Sequence, residues 1–125
     1  MICECDEIEA LLQELNSAEL HIFPRPRERL AAPDKKGVYV IYSMDERVLH
    51  VGSTPRARGG IRQRLQNHMA SQSSFAEEYL GGKGSRLRAT HKFRCLPVAS
   101  PRQRALLEAL AIGRLCPAHI GHGLE

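Results

Sequence analysis

The segment GVYVIYSMDERVLHVG, residues 37–52, carries the clearest structural pattern in this chain. Two runs rich in β-branched, aromatic and large apolar residues flank the polar segment 44–47, and this pattern predicts a β-hairpin. Closing the turn at Asp45-Glu46 places Tyr39 opposite Gly52 in the neighbouring strand. Register matters because a slip of one residue moves every side chain to the other face of the sheet.

This register predicts two chemically different faces. Side chains alternate along a strand, so Tyr39 and His50 share one face as diagonal neighbours. The opposite face is predicted to be apolar and to contain Val38, Val40, Tyr42, Leu49 and Val51. A phenol and an imidazole on one face of a hairpin form a candidate site.

A helix is predicted after an arginine-rich loop, from Ile61 to about Met69. Apolar residues spaced four apart give it an inward stripe. Arg64 and His68 are also four residues apart, so they share another face of this helix.

The last helix is predicted from Pro101 to Leu115, with Ser100 as its N-cap and proline at the first helical position. Between residues 105 and 113 every side chain is small or apolar except Glu108. This composition predicts a helix buried all round, where a carboxylate is costly unless it is paired or bound to a metal. One interpretation is a salt bridge with Arg64 or Arg104. The other is a ligand for one divalent cation, Mg²⁺ or Mn²⁺, that keeps several waters.

These pieces together resemble the motifs of the GIY-YIG nuclease family. Residues 37–39 (GVY) and 50–52 (HVG) resemble its paired motifs, and Arg64 stands at the position of its helical arginine. Glu108, nine residues before Pro117, resembles its metal-binding glutamate. The resemblance covers roughly residues 37 to 117.

The chain departs from the family pattern in three places. His50 stands where the family usually has tyrosine, and the loop between Gly52 and Arg64 is longer than in the shortest members. The asparagine that commonly follows the proline is missing, and His119 and Ile120 stand there. These departures leave open a second interpretation, a scaffold that binds DNA without cutting it.

The resemblance implies an α/β (α+β) fold with a small, three-stranded, mainly antiparallel sheet flanked by helices. It also implies a metal-dependent endonuclease that hydrolyses DNA, with catalytic residues Tyr39, His50, Arg64 and Glu108. Glu108 would hold the cation, and Arg64 would bind phosphate oxygens. Either Tyr39, with its phenol acidified, or His50, with a reference pKa near neutrality, would accept the proton from water.

The charge distribution predicts a nucleic-acid partner. Residues 1–20 contain six acidic and no basic side chains, so the remaining residues carry all 18 lysines and arginines. A domain this basic attracts polyanions. Charge alone does not distinguish DNA from RNA. The residues predicted to contact nucleic acid are Arg56, Arg58, Arg62, His68, Lys83 and Arg86.

The first 36 residues are predicted to form an extension of the domain at residues 37–125. A helix from Asp6 to about Asn16 is expected either to cap the core or to fold over the basic surface. A basic Pro/Arg connector, residues 24–27, follows it. Lys92 to Ala99 is predicted as an edge strand or a strand that ends early, because Pro97 cannot donate to a ladder.

Other features limit the classes of protein. No run of eighteen apolar residues is present, and the first residues do not resemble a signal peptide, which predicts a cytoplasmic protein without a membrane partner. The four cysteines are expected to be free thiols, although Cys3 and Cys5 have the spacing of half a metal site.

Overall fold

The computed structural model describes residues 3–54 and 58–121. Helices and strands alternate irregularly along the chain. In order they are α1 (Glu4–Ser17), β1 (His21–Ile22), β2 (Gly37–Tyr42), β3 (Val48–Ser53), α2 (Gly60–Met69), α3 (Ser74–Glu78), a 3-10 helix (Gly84–Leu87), β4 (Lys92–Pro97) and α4 (Pro101–Leu115).

The strands form one open sheet in the order β1-β4-β2-β3, with every neighbouring pair antiparallel. The predicted α+β class is confirmed. The prediction of three strands was wrong, because β1 adds a fourth. It has only two residues, too few for an alternating pattern to be visible in the sequence.

The hairpin register was predicted correctly at the candidate site, although the turn was not. Tyr39 pairs with Gly52, and Ile41 pairs with His50. Near the turn, however, Tyr42 pairs with Val48, so one extra residue forms a bulge between these pairs. That residue is Leu49, which packs in the cluster that contains Tyr39 and Ile41. The prediction that Leu49 shares a face of the sheet with Val51 was therefore wrong.

Both faces of the sheet are buried under helices. One face carries α1 and α4, whose apolar side chains pack with Val38, Val40 and Val51. The other face packs against α2, α3 and the 3-10 helix, in a cluster that includes Tyr39 and Phe75. The sheet therefore separates two cores, and the Tyr39 face lies in one of them.

Helix α1 caps the core, as one of the two interpretations predicted. Ile8, Leu12 and Leu15 are buried in the cluster shared with α4 and the sheet. Its acidic side chains reach arginines of α4: Arg102 donates two hydrogen bonds to Glu4, of 2.7 and 2.9 Å. The acidic segment thus packs on the α4 face.

Helix α4 has the predicted bounds, and the Ser100 hydroxyl accepts a hydrogen bond from the Gln103 amide at 3.2 Å. The prediction that the helix is buried all round was wrong. Leu107 and Ala111 are buried, whereas Ala105 and Ala109 are exposed. Small side chains lie on the solvent side because the sheet and α1 cover only part of its surface.

Strand β4 lies inside the sheet, and Pro97 is its last residue, paired with Gly37. On the β1 side of β4, pairing is limited to the two residues of β1. No strand therefore lies beside Pro97 there, and the hydrogen bond that proline cannot donate is not needed. Within residues 3–54 and 58–121, every helix is too short or too polar to cross a membrane.

Candidate functional site

Tyr39 lies at the centre of the candidate site with no exposed surface. A Cβ atom built on its strand partner Gly52 would lie 2.3 Å from the phenol oxygen, so only glycine leaves room for this ring. Burial raises the pKa of Tyr39 to about 12, while the neighbouring Arg64 charge acts to lower it. The phenol is therefore protonated at neutral pH.

The phenol is hydrogen-bonded to His68 of α2, with 2.6 Å between Oη and Nε2. His68 is 1% exposed, and its Nδ1 lies 2.7 Å from the Ser73 hydroxyl. Burial, and then the charges of His50 and Arg64, hold the pKa of His68 well below its usual range. The neutral ring can therefore accept a hydrogen bond from the phenol O–H at Nε2 while Nδ1–H donates to Ser73. Although His68 was predicted as a surface contact to nucleic acid, it lies inside the site.

Arg64 supplies the positively charged side chain of this site. It projects from α2, half-buried, and the charge of its guanidinium acts on the pKa of Tyr39, His50 and Glu108. The face shared by Arg64 and His68 was predicted from their spacing, and the structure directs that face toward the sheet. One helix thus supplies both a fixed positive charge and a buried imidazole.

Glu108 reaches the same site from α4, on the other side of the sheet. Its Oε1 accepts a hydrogen bond of 2.9 Å from the hydroxyl of Ser53, the last residue of β3. Burial raises the pKa of Glu108, opposed by the Ser53 hydrogen bond and the Arg64 charge. Arg104 is occupied elsewhere, because its guanidinium donates to the carbonyl oxygens of Val98 and Ala99. The salt bridge with Arg104 is therefore not formed.

His50 belongs to a second hydrogen-bonded chain. Its Nδ1 lies 3.1 Å from Nδ1 of His119, and Nε2 of His119 lies 2.7 Å from a carboxylate oxygen of Glu78. The His50 ring stacks on Phe75, with 4.9 Å between centroids, and lies 6.3 Å from the Tyr39 ring. Burial, and then the charge of His119, lower the pKa of His50 to about 4. His50 is therefore a neutral imidazole at pH 7.

The Tyr39 and His50 rings thus lie 6.3 Å apart, and the charge of Arg64 acts on the pKa of both and on that of Glu108. Sequence reasoning missed Ser53, Ser73 and Glu78 there. Ser53 directly follows the second strand motif, which was a usable signal. Ser73 caps the short helix α3 and Glu78 is its last residue, and the sequence carried no signal for either of them.

The residues predicted to contact nucleic acid are distributed around α2. Arg58, Lys83 and Arg86 are exposed, whereas Arg56 lies outside the described residues. Arg62 is half-buried, and its Nε donates to the Ala32 carbonyl at 2.8 Å. A groove of about 460 Å³ runs beside it. Its polar lining consists of Glu28, Arg29, Arg62, Gln66 and Arg88.

Glu108 fits the predicted role of metal ligand. Mg²⁺ is commonly held by one or two carboxylates together with waters and substrate phosphates, so a single glutamate is sufficient. A bound cation would also offset the free-energy cost of burying the Glu108 carboxylate. Elsewhere among the described residues, Cys3, Cys5 and Asp6 form an exposed group whose ligand atoms lie within 4.8 Å of one another.

Comparison with known proteins adds no family assignment. No family model matches the chain, and no curated protein matches it. Function is therefore inferred from the residues themselves.

Proposed function

We propose that this protein is a metal-dependent endonuclease that hydrolyses DNA phosphodiester bonds with one Mg²⁺ or Mn²⁺, and that it is a GIY-YIG nuclease. One observation carries the proposal: the Tyr39 and His50 rings lie 6.3 Å apart on one face of the sheet, and the charge of Arg64 acts on both and on the Glu108 carboxylate. Such a set suits phosphodiester hydrolysis, because charge on the phosphate is neutralised while water loses a proton.

Arg64 and Glu108 have complementary roles in this proposal. The guanidinium is always charged and presents paired donors, so it suits two oxygens of the scissile phosphate. Glu108 would hold the cation, which supplies Lewis-acid polarisation of the phosphate when it is bound. The half-buried position of both side chains keeps them accessible to a ligand while reducing competition from water.

His50 is the better proton acceptor of the two candidates. Tyr39 is protonated up to a pKa of about 12, has no exposed surface and is bonded to His68. His50 is neutral at pH 7, so one ring nitrogen has a free lone pair. We assign proton transfer to His50, and to Tyr39 the support of the site through His68.

The distribution of basic residues supports a nucleic-acid substrate. The acidic helix α1 packs on α4, so its carboxylates are directed away from the groove beside α2. Arg29, Arg62 and Arg88 line that groove. Such a surface favours binding of a phosphodiester backbone. The four free cysteines support a reducing compartment, so we propose that the protein works in the cytoplasm.

The decisive experiment is cleavage of supercoiled plasmid and of branched DNA with and without Mn²⁺. The parent protein is expected to nick DNA, and EDTA is expected to abolish nicking. Glu108→Gln keeps the size of the side chain but removes its charge, so it should lose at least a hundredfold in rate, within the range of about 10²–10³ for a lost stabilising group. Glu14→Gln, on the exposed face of α1, is the matched control. Full cleavage by purified, folded Glu108→Gln would defeat the proposal.

One observation favours a second candidate, a DNA-binding protein that does not cut. Tyr39 has no exposed surface and His50 is only 7% exposed, so neither group meets bulk water directly. This candidate predicts DNA binding that weakens with salt but no Mn²⁺-dependent nicking by the parent. Nicking that disappears in EDTA and in Glu108→Gln would eliminate it.

A further inference from the structure

Two departures from the expected motif pattern are in direct contact. His50 occupies the usual tyrosine position, and His119 follows Pro117 where asparagine is common. In the structure their Nδ1 atoms are 3.1 Å apart. Both rings are buried, with exposed fractions of 7% for His50 and 8% for His119.

After α4 the chain runs back along β3 and brings His119 to His50. The backbone amide of Ala118 donates to the Val48 carbonyl at 3.2 Å, and that of His119 donates to the Leu49 carbonyl at 2.8 Å. The segment thus runs along the outer edge of β3, next to the bulge. His119 is held by the backbone independently of its side-chain hydrogen bonds.

The hydrogen-bond partners determine where the ring protons lie. A carboxylate only accepts, so the bond to Glu78 requires a proton on Nε2 of His119. When the His119 ring is neutral, Nε2 carries its one N–H and Nδ1 is an acceptor. The proton between the two Nδ1 atoms must then belong to His50. Nε2 of His50 is left with its lone pair.

The positive groups around His50 oppose a charge on its ring, and one negative group is linked to it by hydrogen bonds. His68 and Arg64 face it on the side of α2, and His119 faces it from the C-terminal segment. Arg64 disfavours a second positive charge on the His50 ring. The Glu78 carboxylate, linked through His119, is the negative group in hydrogen-bonded connection with that ring.

We propose that Glu78 and His119 are positioning residues that hold His50 in the tautomer protonated at Nδ1, so that its Nε2 accepts a proton from the attacking water. This inference rests on the proposed hydrolytic function. As the water proton moves to Nε2, the water oxygen bonds to phosphorus and the bond to the leaving sugar oxygen breaks, and that oxygen takes a proton from solvent. The Nδ1–H of the resulting imidazolium continues to donate to His119.

The tautomer can be measured without substrate, by long-range ¹H–¹⁵N NMR of the histidine rings in the full chain. The parent is expected to show His50 protonated at Nδ1 and unprotonated at Nε2. His119→Phe and Glu78→Ala should each give a mixture of tautomers, because the acceptor for Nδ1–H is removed or no longer fixed. Glu78→Gln should restore the parent tautomer, since its amide oxygen can still accept from His119.

Cleavage kinetics provide the second readout. His119→Phe and Glu78→Ala are expected to lower kcat about 10- to 100-fold, the range for residues that orient a functional ligand, without raising KM for DNA. Glu77→Ala, an exposed neighbour on α3, is the matched control and should change neither tautomer nor kcat.

The two readouts separate this inference from the proposed function. His50 protonated at Nε2 in the parent, or an unchanged tautomer in both His119→Phe and Glu78→Ala, would overturn the inference whether or not the protein cuts DNA. Failure of all forms to cleave, with the expected tautomers present, would overturn the nuclease proposal and with it the catalytic use of the arrangement.

Discussion

At the scale of single residues, Gly52 shows how tightly the site is built. Its strand partner Tyr39 has its phenol oxygen where a side chain would begin, 2.3 Å from an ideal Cβ. The same oxygen is bonded to His68, so the phenol cannot move without losing that partner. The glycine of the HVG motif is therefore required by packing against the site.

Gly52→Ala is expected to lower the free energy of unfolding by about 1–3 kcal/mol, the usual cost of overpacking. It should also reduce cleavage, because Tyr39 is displaced from His68. Gly113→Ala is the control. A Cβ there meets nothing within 4 Å, on the exposed side of α4, so a gain of about 0.5–1 kcal/mol is expected. Denaturant unfolding measures both, and equal effects of the two substitutions would contradict the packing argument.

His50 gives a prediction on acid stability. Burial lowers its pKa from 6.5 to about 4, so below pH 6.5 the unfolded chain takes up a proton that the folded chain does not. The contribution of neutral His50 to the free energy of unfolding is therefore fully present above about pH 6.5 and is lost as the pH falls to about 4. The expected loss is on the order of 3 kcal/mol.

The measurement compares the free energy of unfolding at pH 7 and pH 4.5 in the parent and in His50→Gln. Whatever the substitution does to stability at pH 7, the test is the difference between the two pH values, which should be smaller in the variant. His68 is also buried and remains in both proteins, so the difference reports His50 together with its effect on the pKa of His68. Identical pH dependence would show that His50 is not held neutral.

At the scale of secondary structure, α1 belongs to the core of the molecule. Leu12 is 2% exposed and lies in the same cluster as Val38, Val40 and Leu107. The stripe of leucines and isoleucine predicted this contact, since only a helix spacing places them on one face. What the stripe could not show is that α4 is the partner helix.

Leu12→Ala should therefore lower the free energy of unfolding by about 2–5 kcal/mol. Leu11→Ala changes a neighbouring, half-buried leucine and should cost clearly less. Thermal or denaturant unfolding distinguishes them. If Leu12→Ala were no more destabilising than Leu11→Ala, α1 would not be packed in the core as described.

The hairpin was predicted correctly at the candidate site but not at its turn. Alternation correctly predicted that Tyr39 and His50 share a face. The turn was predicted one residue out of place, and the bulge at Leu49 restores the predicted register beyond it. Such a bulge is invisible in the pattern, because Leu49 is apolar and both faces of the sheet are buried.

At the scale of the whole molecule, charge is separated between two sides. The acids of α1 pair with α4, where Arg114 donates hydrogen bonds of 2.7 and 2.9 Å to Glu9. The groove beside α2 carries Arg29, Arg62 and Arg88. DNA should therefore be bound on the α2 side.

Arg29→Gln combined with Arg62→Gln is expected to weaken DNA binding. It should also reduce the slope of log K against log salt by about one for each phosphate that the variant no longer binds. The matched control is Arg102→Gln combined with Arg114→Gln, which removes the same charge from the α4 side. Binding titrations at several salt concentrations measure the slope. Equal slopes for the two double variants would mean that the groove does not bind DNA.

The amino-acid sequence alone was enough to predict much of the local structure: the shared face of Tyr39 and His50, the stripes of α1 and α2, and the bounds of α4 with its serine cap. These follow from periods of two and of 3.6 residues, which depend only on neighbours along the chain. The contacts of Glu108 with Ser53 and of His119 with His50 are set by tertiary packing. Those contacts depend on how α4 and the segment after it pack along β3. That packing cannot be predicted from the spacing of residues along the chain.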